Sequence, residues 1–190
     1  ATDTASATVE NTDPEVDSVT VSPSIAKVGD DLTCSATASD ADGGSPTITY
    51  AWSTGETGDT TTVADTDDPG AVITCTATAT DTDLGTGTGT ASATVENTDP
   101  ELTSVTVSPS TAKVGEDLTC AATASDADGG TPTITFVFYF GVSCESYTVD
   151  PSDDPGDVIT CTATATDTDL GSETARATVD NTAPVVDSVS

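Results

Sequence analysis

The amino-acid sequence predicts an all-β protein that consists of two antiparallel β-sandwiches in tandem. Ser and Thr alternate with Ala, Val, Ile and Cys at period two, as in residues 32–39, which is typical of strands with one buried face. The sequence also repeats itself, because residues 72–85 recur without change at 158–171. A repeat of this length indicates two copies of one small fold.

Within one repeat, strands are predicted at residues 17–22, 32–39, 48–53, 61–64, 71–80 and 88–96. The first strand ends at Pro23, which has no N–H for a ladder hydrogen bond. Alternation turns Tyr50 and Trp52 of the third strand inward, as it does Ile73 of the fifth. Turn residues at intervals of about 8–12 positions favour a sandwich, and no segment has helical periodicity.

The repeat also divides the chain into domains. We assign one complete module to residues 13–98 and a second to residues 99–182. Residues 1–12 match only the last strand of a module, and we interpret them as the last strand of a preceding module or as a donated strand. Residues 183–190 match only a first strand and are assigned to a following module. Both interpretations predict self-association or continuation into a linear assembly.

Each module has two cysteines at predicted inward positions. Cys34 and Cys75 are separated by 41 residues with Trp52 between them, and Cys120 and Cys161 repeat this spacing around Phe138. This order is that of the inter-sheet disulfide and core ring of an immunoglobulin-like sandwich. We expect both pairs to be oxidised, although two buried free thiols in a reduced protein remain the alternative. A cross-link closing a 41-residue loop contributes roughly 4 kcal/mol in the chain-entropy treatment.

Four motifs extend the comparison to a family. The motifs are N-T-x-P, S-V-x-V-S-P-S, L-T-C-x-A-T-A-S-D-A-D-G and V-I-T-C-T-A-T-A-T-D-x-D. They resemble the tandem immunoglobulin-like, PKD-like or cadherin-like repeats of bacterial and archaeal surface adhesins and fibres. The resemblance implies Greek-key sandwiches, an extracellular or cell-surface location, and a structural role as a stalk, shaft or fibre unit.

Composition excludes several classes of function. The 33 acidic residues against 3 basic ones give a net charge of −30, which excludes nucleic acid and anionic membranes as electrostatic partners. The sequence has no His and no apolar run of the roughly 18 residues that a membrane span needs. Paired carboxylates could in principle cleave glycosides, but they lie in repeated turns. We therefore predict no enzymatic activity.

Acidic pairs recur in two turns of each module and in the segment that precedes it. Flexible D-x-D loops suit Ca2+, which takes six to eight oxygen ligands, and the arrangement is similar to cadherin junctions. We therefore predict Ca2+ sites, whereas the alternative is that D-x-D-G is ordinary turn chemistry. The candidate ligands are Asp13, Asp40, Asp42, Asp81 and Asp83, with Asp99, Asp126, Asp128, Asp167 and Asp169 in the second module.

The two modules differ most around residues 137–144. Val137 and Tyr139 are predicted to point outward, and Cys144 is an odd cysteine where the first module has Gly58. We predict that Val137, Tyr139 and Cys144 lie at a contact with another chain or module, the alternative being local variation with a buried thiol. Outward Thr rows such as 74–80 favour strand structure and are also possible sites of O-linked glycans.

Taken together, the sequence predicts a structural repeat protein of an extracellular or cell-surface filament. The first alternative is the stalk of a calcium-dependent adhesin whose binding domain lies outside this segment. A sugar-binding module is a second alternative, and it needs exposed aromatic side chains, for which Tyr139 and Tyr147 are the candidates.

Overall fold

A computed structural model describes residues 2–138, 141, 143, 145–169 and 171–181. The chain divides into unit 1, residues 1–96, and unit 2, residues 97–190. The strands of unit 1 are β1 Glu15–Ser22, β2 Ile25–Ala26, β3 Asp31–Ser39, β4 Thr47–Trp52, β5 Thr60–Thr62, β6 Val72–Thr80 and β7 Thr86–Val95. Those of unit 2 are β8 Glu101–Ser108, β9 Thr111–Ala112, β10 Asp117–Ser125, β11 Thr133–Phe138, β12 Ser146–Thr148, β13 Val158–Thr166 and β14 Ser172–Asn181.

Each unit is a sandwich of two sheets. In unit 1 the strand orders are β1-β3-β5 and β2-β7-β6-β4, and unit 2 repeats them as β8-β10-β12 and β9-β14-β13-β11. All pairings are antiparallel except β2 with β7 and β9 with β14, which are parallel. The chain changes sheet at each step from β1 to β6 and stays in one sheet only between β6 and β7, which confirms the predicted antiparallel Greek-key sandwich. Among the described residues, no helix is long and apolar enough to cross a membrane.

The predicted strands are confirmed, with ends displaced by at most two residues. Alternation does not predict β2 and β9, because strands of two residues are too short to have a period. The last strand begins earlier than predicted, at Thr86, and includes Gly87 and Gly89. A Cβ at Gly89 would lie 2.8 Å from Val19 Cγ2, so glycine lets β1 pack closely against β7. Residues 2–14 contain no strand.

A disulfide joins the two sheets of each unit. Cys34 of β3 bonds to Cys75 of β6 with a Cα–Cα distance of 6.4 Å, and Cys120 of β10 bonds to Cys161 of β13 at 6.3 Å. Both predicted pairs are confirmed. Trp52 and Phe138, which are 4% and 1% exposed, are the buried aromatic rings beside them.

Unit 2 contains a polar contact that unit 1 lacks. The ring of Tyr147 stacks on Phe138 with centroids 5.7 Å apart, and its hydroxyl donates to Asp153 Oδ2 at 2.8 Å. Asp153 is only 4% exposed and also accepts the N–H of Asp150. Tyr147 is therefore half-buried against the core of unit 2, and Tyr139, the other aromatic candidate of the sugar-binding alternative, lies outside the described residues.

The Tyr147 hydroxyl gives unit 2 a pH dependence of stability that we can predict. Burial, followed by the hydrogen bond to Asp153, raises the pKa of Tyr147 to about 12. Between pH 10 and 12 the unfolded tyrosine has lost its proton while the folded one keeps it, so stability falls as the pH rises through this range. At neutral pH, Tyr147→Phe costs about 1–3 kcal/mol because the buried carboxylate loses a donor.

Calorimetry from pH 9 to 11.5 checks this expectation. The unit 2 transition of the unmodified chain falls in temperature above pH 10, and in Tyr147→Phe most of this fall disappears. Unit 1, which has Thr61 at the corresponding position, serves as the internal reference. Equal pH dependence of unit 2 in both proteins would contradict the assignment.

Candidate functional site

The acidic turns of unit 1 bind the segment that precedes its first strand. The β3–β4 turn contributes Asp42, whose Oδ2 accepts the N–H of Thr12 at 2.5 Å. The β6–β7 turn contributes Asp81, whose Oδ2 accepts Asn11 Nδ2–H at 3.0 Å. Since Asn11 and Thr12 are consecutive, both turns lie at the same end of the sandwich. We call the residues 11–13 together with these two turns the acidic end of unit 1.

Gly85 makes room for the side chains of this acidic end. A Cβ on Gly85 would lie 2.5 Å from both Asp13 Oδ1 and Asp81 Oδ2, and 2.8 Å from Asn11 Nδ2. The side chains of Asn11, Asp13 and Asp81 therefore converge directly over this glycine. Strand alternation does not predict this role of Gly85, although a glycine follows D-T-D-L in both units.

Within each D-x-D pair the first carboxylate caps its own turn. Asp40 Oδ1 accepts the N–H of Asp42 at 2.9 Å, and Asp81 Oδ1 accepts the N–H groups of Asp83 and Gly85, each at 2.8 Å. These are the side chain-to-backbone bonds for which Asp is favoured in turns. The Asn11 hydrogen bond, followed in effect by those of the turn N–H groups, lowers the pKa of Asp81.

Unit 2 reproduces this arrangement at its own acidic end. Asn97 Nδ2–H donates to Asp167 Oδ2 at 3.0 Å, the N–H of Thr98 donates to Asp128, and Asp99 Oδ1 lies 2.7 Å from the Cβ position of Gly171. The turn caps are also repeated, with Asp126 Oδ1 accepting the N–H of Asp128 at 3.0 Å and Asp167 Oδ1 accepting the N–H of Asp169 at 2.9 Å.

The geometry of these carboxylates bears on the predicted Ca2+ sites. In the part of the chain that the structure describes, no group of three or more acidic side chains is arranged to hold a metal ion. Unit 2 nevertheless has three buried oxygens without a hydrogen-bond partner, Asn97 Oδ1, Thr98 Oγ1 and Asp128 Oδ1. Oxygen donors of these kinds are the ligands that Ca2+ prefers. Calcium binding therefore stays a prediction.

Two consecutive residues at the boundary of the units are each bonded to a different unit. The N–H of Glu96 donates to the carbonyl of Ala26 in unit 1 at 2.7 Å, whereas the side chain of Asn97 is bonded to Asp167 in unit 2. No unbonded linker residue therefore separates the hydrogen bonds of one unit from those of the next.

The predicted contact residues are only partly within the described chain. Val137 points outward and is 38% exposed, as expected, while Tyr139 and Cys144 lie outside the described residues. Thr74, Thr76, Thr78 and Thr80 are half-buried on the outward side of β6, and glycans on them stay a prediction.

Comparison with known proteins gives distant structural similarities. No protein-family model matches the sequence, and no curated protein matches it. Insect hemolin is 13% identical over 83% of this chain and 44% of its own, with a TM-score of 0.47. Immunoglobulin domains 1–4 of Sidekick-1 are 16% identical over 94% of this chain and 51% of their own, with a TM-score of 0.43.

A third similar structure comprises the three N-terminal domains of the highly immunogenic outer capsid protein of bacteriophage RB49. It is 16% identical over 90% of this chain and 71% of its own, with a TM-score of 0.40. This chain thus spans about half the length of the hemolin and Sidekick-1 structures. At these values the comparison carries no argument about function, and the immunoglobulin-like fold rests on the strand order and the inter-sheet disulfides described above.

The Asn11–Asp81 hydrogen bond gives a prediction for the acidic end. Because Asn11 is the largest cause that lowers the pKa of Asp81, Asn11→Ala raises that pKa toward the ordinary value of aspartate. The ionised Asp81 contributes stability above its unfolded pKa, and this contribution is lost as the pH falls through the folded pKa. In the variant the loss therefore begins at higher pH.

An NMR pH titration of the Asp81 carboxyl carbon measures this change directly. Asn97→Ala, which removes the equivalent amide in unit 2, is the matched control and leaves the Asp81 titration unchanged. An unchanged Asp81 pKa in Asn11→Ala would show that the segment 11–13 does not bind this turn in solution.

Proposed function

We propose that this chain is part of an extracellular or cell-surface filament, in which disulfide-linked immunoglobulin-like modules follow one another end to end. Its role in this proposal is mechanical and not catalytic. The observation that carries the proposal is the boundary between the units, where Glu96 and Asn97 are consecutive and each is bonded to its own unit. A connection without free linker residues suits a load-bearing array.

An eleven-residue identity supports continuation of the array. Residues 4–14 have the same sequence as residues 90–100. In the second copy, Ala93 and Val95 end β7 and are each 2% exposed, after which Asn97 and Thr98 bind the acidic end of unit 2. In the first copy, Asn11 and Thr12 bind unit 1 in the same way, but Val9 is 91% exposed.

The first copy therefore binds the acidic end of the unit that follows it, but it does not form the strand that the same sequence forms in the second copy. Its strand-forming part, residues 4–9, has the alternation that buries Ala93 and Val95 but no sheet to enter. We infer that these residues complete the four-stranded sheet of a preceding module, either earlier in the same protein or in another subunit. This arrangement gives a linear assembly in both cases.

The proposed location follows from the disulfides and the charge. Disulfides persist in oxidising environments such as the cell exterior, and each unit has one. A net charge of −30 makes copies of the protein repel one another, so they stay in solution except where a contact neutralises part of that charge.

A calcium-dependent adhesin stalk is the second candidate function. It is favoured by the three unpartnered buried oxygens of Asn97, Thr98 and Asp128, which Ca2+ could coordinate after a small rearrangement. A ligand that binds only the folded state raises the melting temperature by mass action, so the stalk hypothesis predicts a Ca2+-dependent unit 2 transition.

Electron microscopy of the purified chain and of native material tests the filament proposal. Uniform fibres with a repeat of one or two modules support it, isolated beaded rods support the stalk, and separate particles without any linear assembly contradict both.

Ala7→Glu with Val9→Glu places charges at the positions that correspond to inward positions of β7, and we expect this variant to abolish fibres. Ser6→Glu with Thr8→Glu adds the same charge at outward positions and leaves fibres intact.

Removing divalent ions from the same samples with EDTA, or adding CaCl2 to them, separates the two candidates. Under the stalk hypothesis EDTA lowers the melting temperature of unit 2 and increases bending of the rods. If both are unchanged, calcium has no part in the assembly.

A further inference from the structure

One cross-strand row distinguishes the outer face of unit 2 from that of unit 1. In unit 1 this row consists of Ala51, Thr76 and Thr90, which are aligned across β4, β6 and β7. In unit 2 the aligned residues are Val137, Thr162 and Arg176 of β11, β13 and β14. Both ends of the row have changed, from Ala to Val and from Thr to Arg, while the residue between them has not.

The row lies on the solvent side of the four-stranded sheet. Val137 is 38% exposed, Arg176 is exposed, and Thr162 is half-buried between them. The neighbouring Phe136 and Phe138 point to the opposite side and pack in the core. Because adjacent strands are about 4.8 Å apart, an apolar side chain and a guanidinium group stand about 10 Å apart on one surface.

This surface is unusual in its charge. No charged residue occurs in the four strands β2, β4, β6 and β7 of the equivalent sheet in unit 1. In unit 2 the outward neighbours of Arg176 on its own strand are Thr174 and Thr178. Arg176 is also one of only 3 basic residues in a chain with 33 acidic ones. It is thus a positive group whose adjacent outward residues, Thr162, Thr174 and Thr178, are uncharged, on a strongly negative molecule.

We propose that the row Val137–Thr162–Arg176 is a contact site for the acidic surface of a second copy of this chain. Two copies with a charge of −30 each repel one another, so they approach most easily where one partner presents a cation among uncharged neighbours. The guanidinium group can pair with a carboxylate through two parallel hydrogen bonds, and Val137 loses apolar surface to solvent in the same contact. This site goes beyond end-to-end assembly, because it joins copies through a sheet face.

The area of the face sets the expected strength. Four strands about 4.8 Å apart, with β13 and β14 being 9 and 10 residues long, give a face of roughly 500 Å² at about 3.3 Å per residue. A stable interface buries about 800 Å² per partner. Contact between two isolated chains is therefore weak, and it becomes strong only when an array presents many such rows at once.

Concentration-dependent NMR spectra of the full chain test this contact, since they detect weak association residue by residue. The chain carries Cys144→Gly, the residue of unit 1 at that position, so that no intermolecular disulfide forms. We expect amide and methyl shifts of residues 137, 162 and 176 to change between about 10 µM and 1 mM, a range chosen for a weak complex. Absence of such changes at this face would overturn the proposal.

Two sets of variants establish which groups are responsible. Val137→Ala with Arg176→Thr restores the row of unit 1, where these residues already fit the fold, and we expect it to abolish the concentration dependence of the NMR shifts.

Arg176→Glu and Lys27→Glu change the net charge equally, and Lys27 is exposed in unit 1. The first should raise the dissociation constant at least tenfold and the second less than twofold. Equal effects would show that net charge alone governs association, and the specific site would be rejected.

The outcome is separable from that of the filament proposal. Fibres that still form with Arg176→Glu, but no longer associate side by side, agree with both proposals. Loss of fibres with Ala7→Glu and Val9→Glu, together with unchanged shifts at residues 137, 162 and 176 in every variant, would support end-to-end assembly and reject the face contact.

Discussion

The disulfide between the two sheets is the interaction on which the rest of each unit depends. Beside a few large side chains such as Trp52 and Phe138, many buried positions of the sandwich are small, and Ala77, Ala79, Ala163 and Ala165 are fully buried. An alanine buries little apolar area, so such a core contributes less hydrophobic free energy than one built from Leu, Ile and Phe. The cross-link offsets this deficit by restricting the unfolded chain.

The disulfide also relates the core to the acidic end. Asp40 and Asp81 each follow their bonded cysteine by six residues, as do Asp126 and Asp167 in unit 2. The cross-link fixes how β3 and β6 are aligned along the sandwich. Both acidic turns therefore lie at the same distance from the disulfide and can bind the consecutive residues Asn11 and Thr12. A contact inside the sandwich thereby determines how the preceding segment is held.

Many of the acidic residues in the turns accept hydrogen bonds from backbone N–H groups. Asp30, Asp67 and Asp153 each accept the N–H of the residue three positions earlier, at 2.8–2.9 Å. A charged acceptor makes such a bond stronger than a neutral one does. The turns are stabilised in this way, while the outward side of the four-stranded sheet of unit 1 is left uncharged.

Period-two alternation predicted the strands and their buried faces because it follows directly from the pleat of a half-buried sheet. The cysteine pairs were predictable for the same reason, since both lie on inward positions of strands that face one another. The remaining features depend on contacts between distant residues. The two-residue strands β2 and β9 exist only through their parallel partners, Gly85 is required only by side chains that converge from residues 11–13, and Tyr147 is placed by Asp153 and Phe138.

Removal of one disulfide tests the central claim most directly. Cys34→Ala with Cys75→Ala is compared with the unmodified chain by denaturant unfolding and by hydrogen exchange at the amides of Thr12 and Gly85. We predict that unit 1 loses roughly 4 kcal/mol of stability and that these two amides exchange faster, while unit 2 with its own disulfide is unchanged. A loss below about 1 kcal/mol with unchanged exchange would contradict the account, because the small core and the acidic turns would then be held without the cross-link.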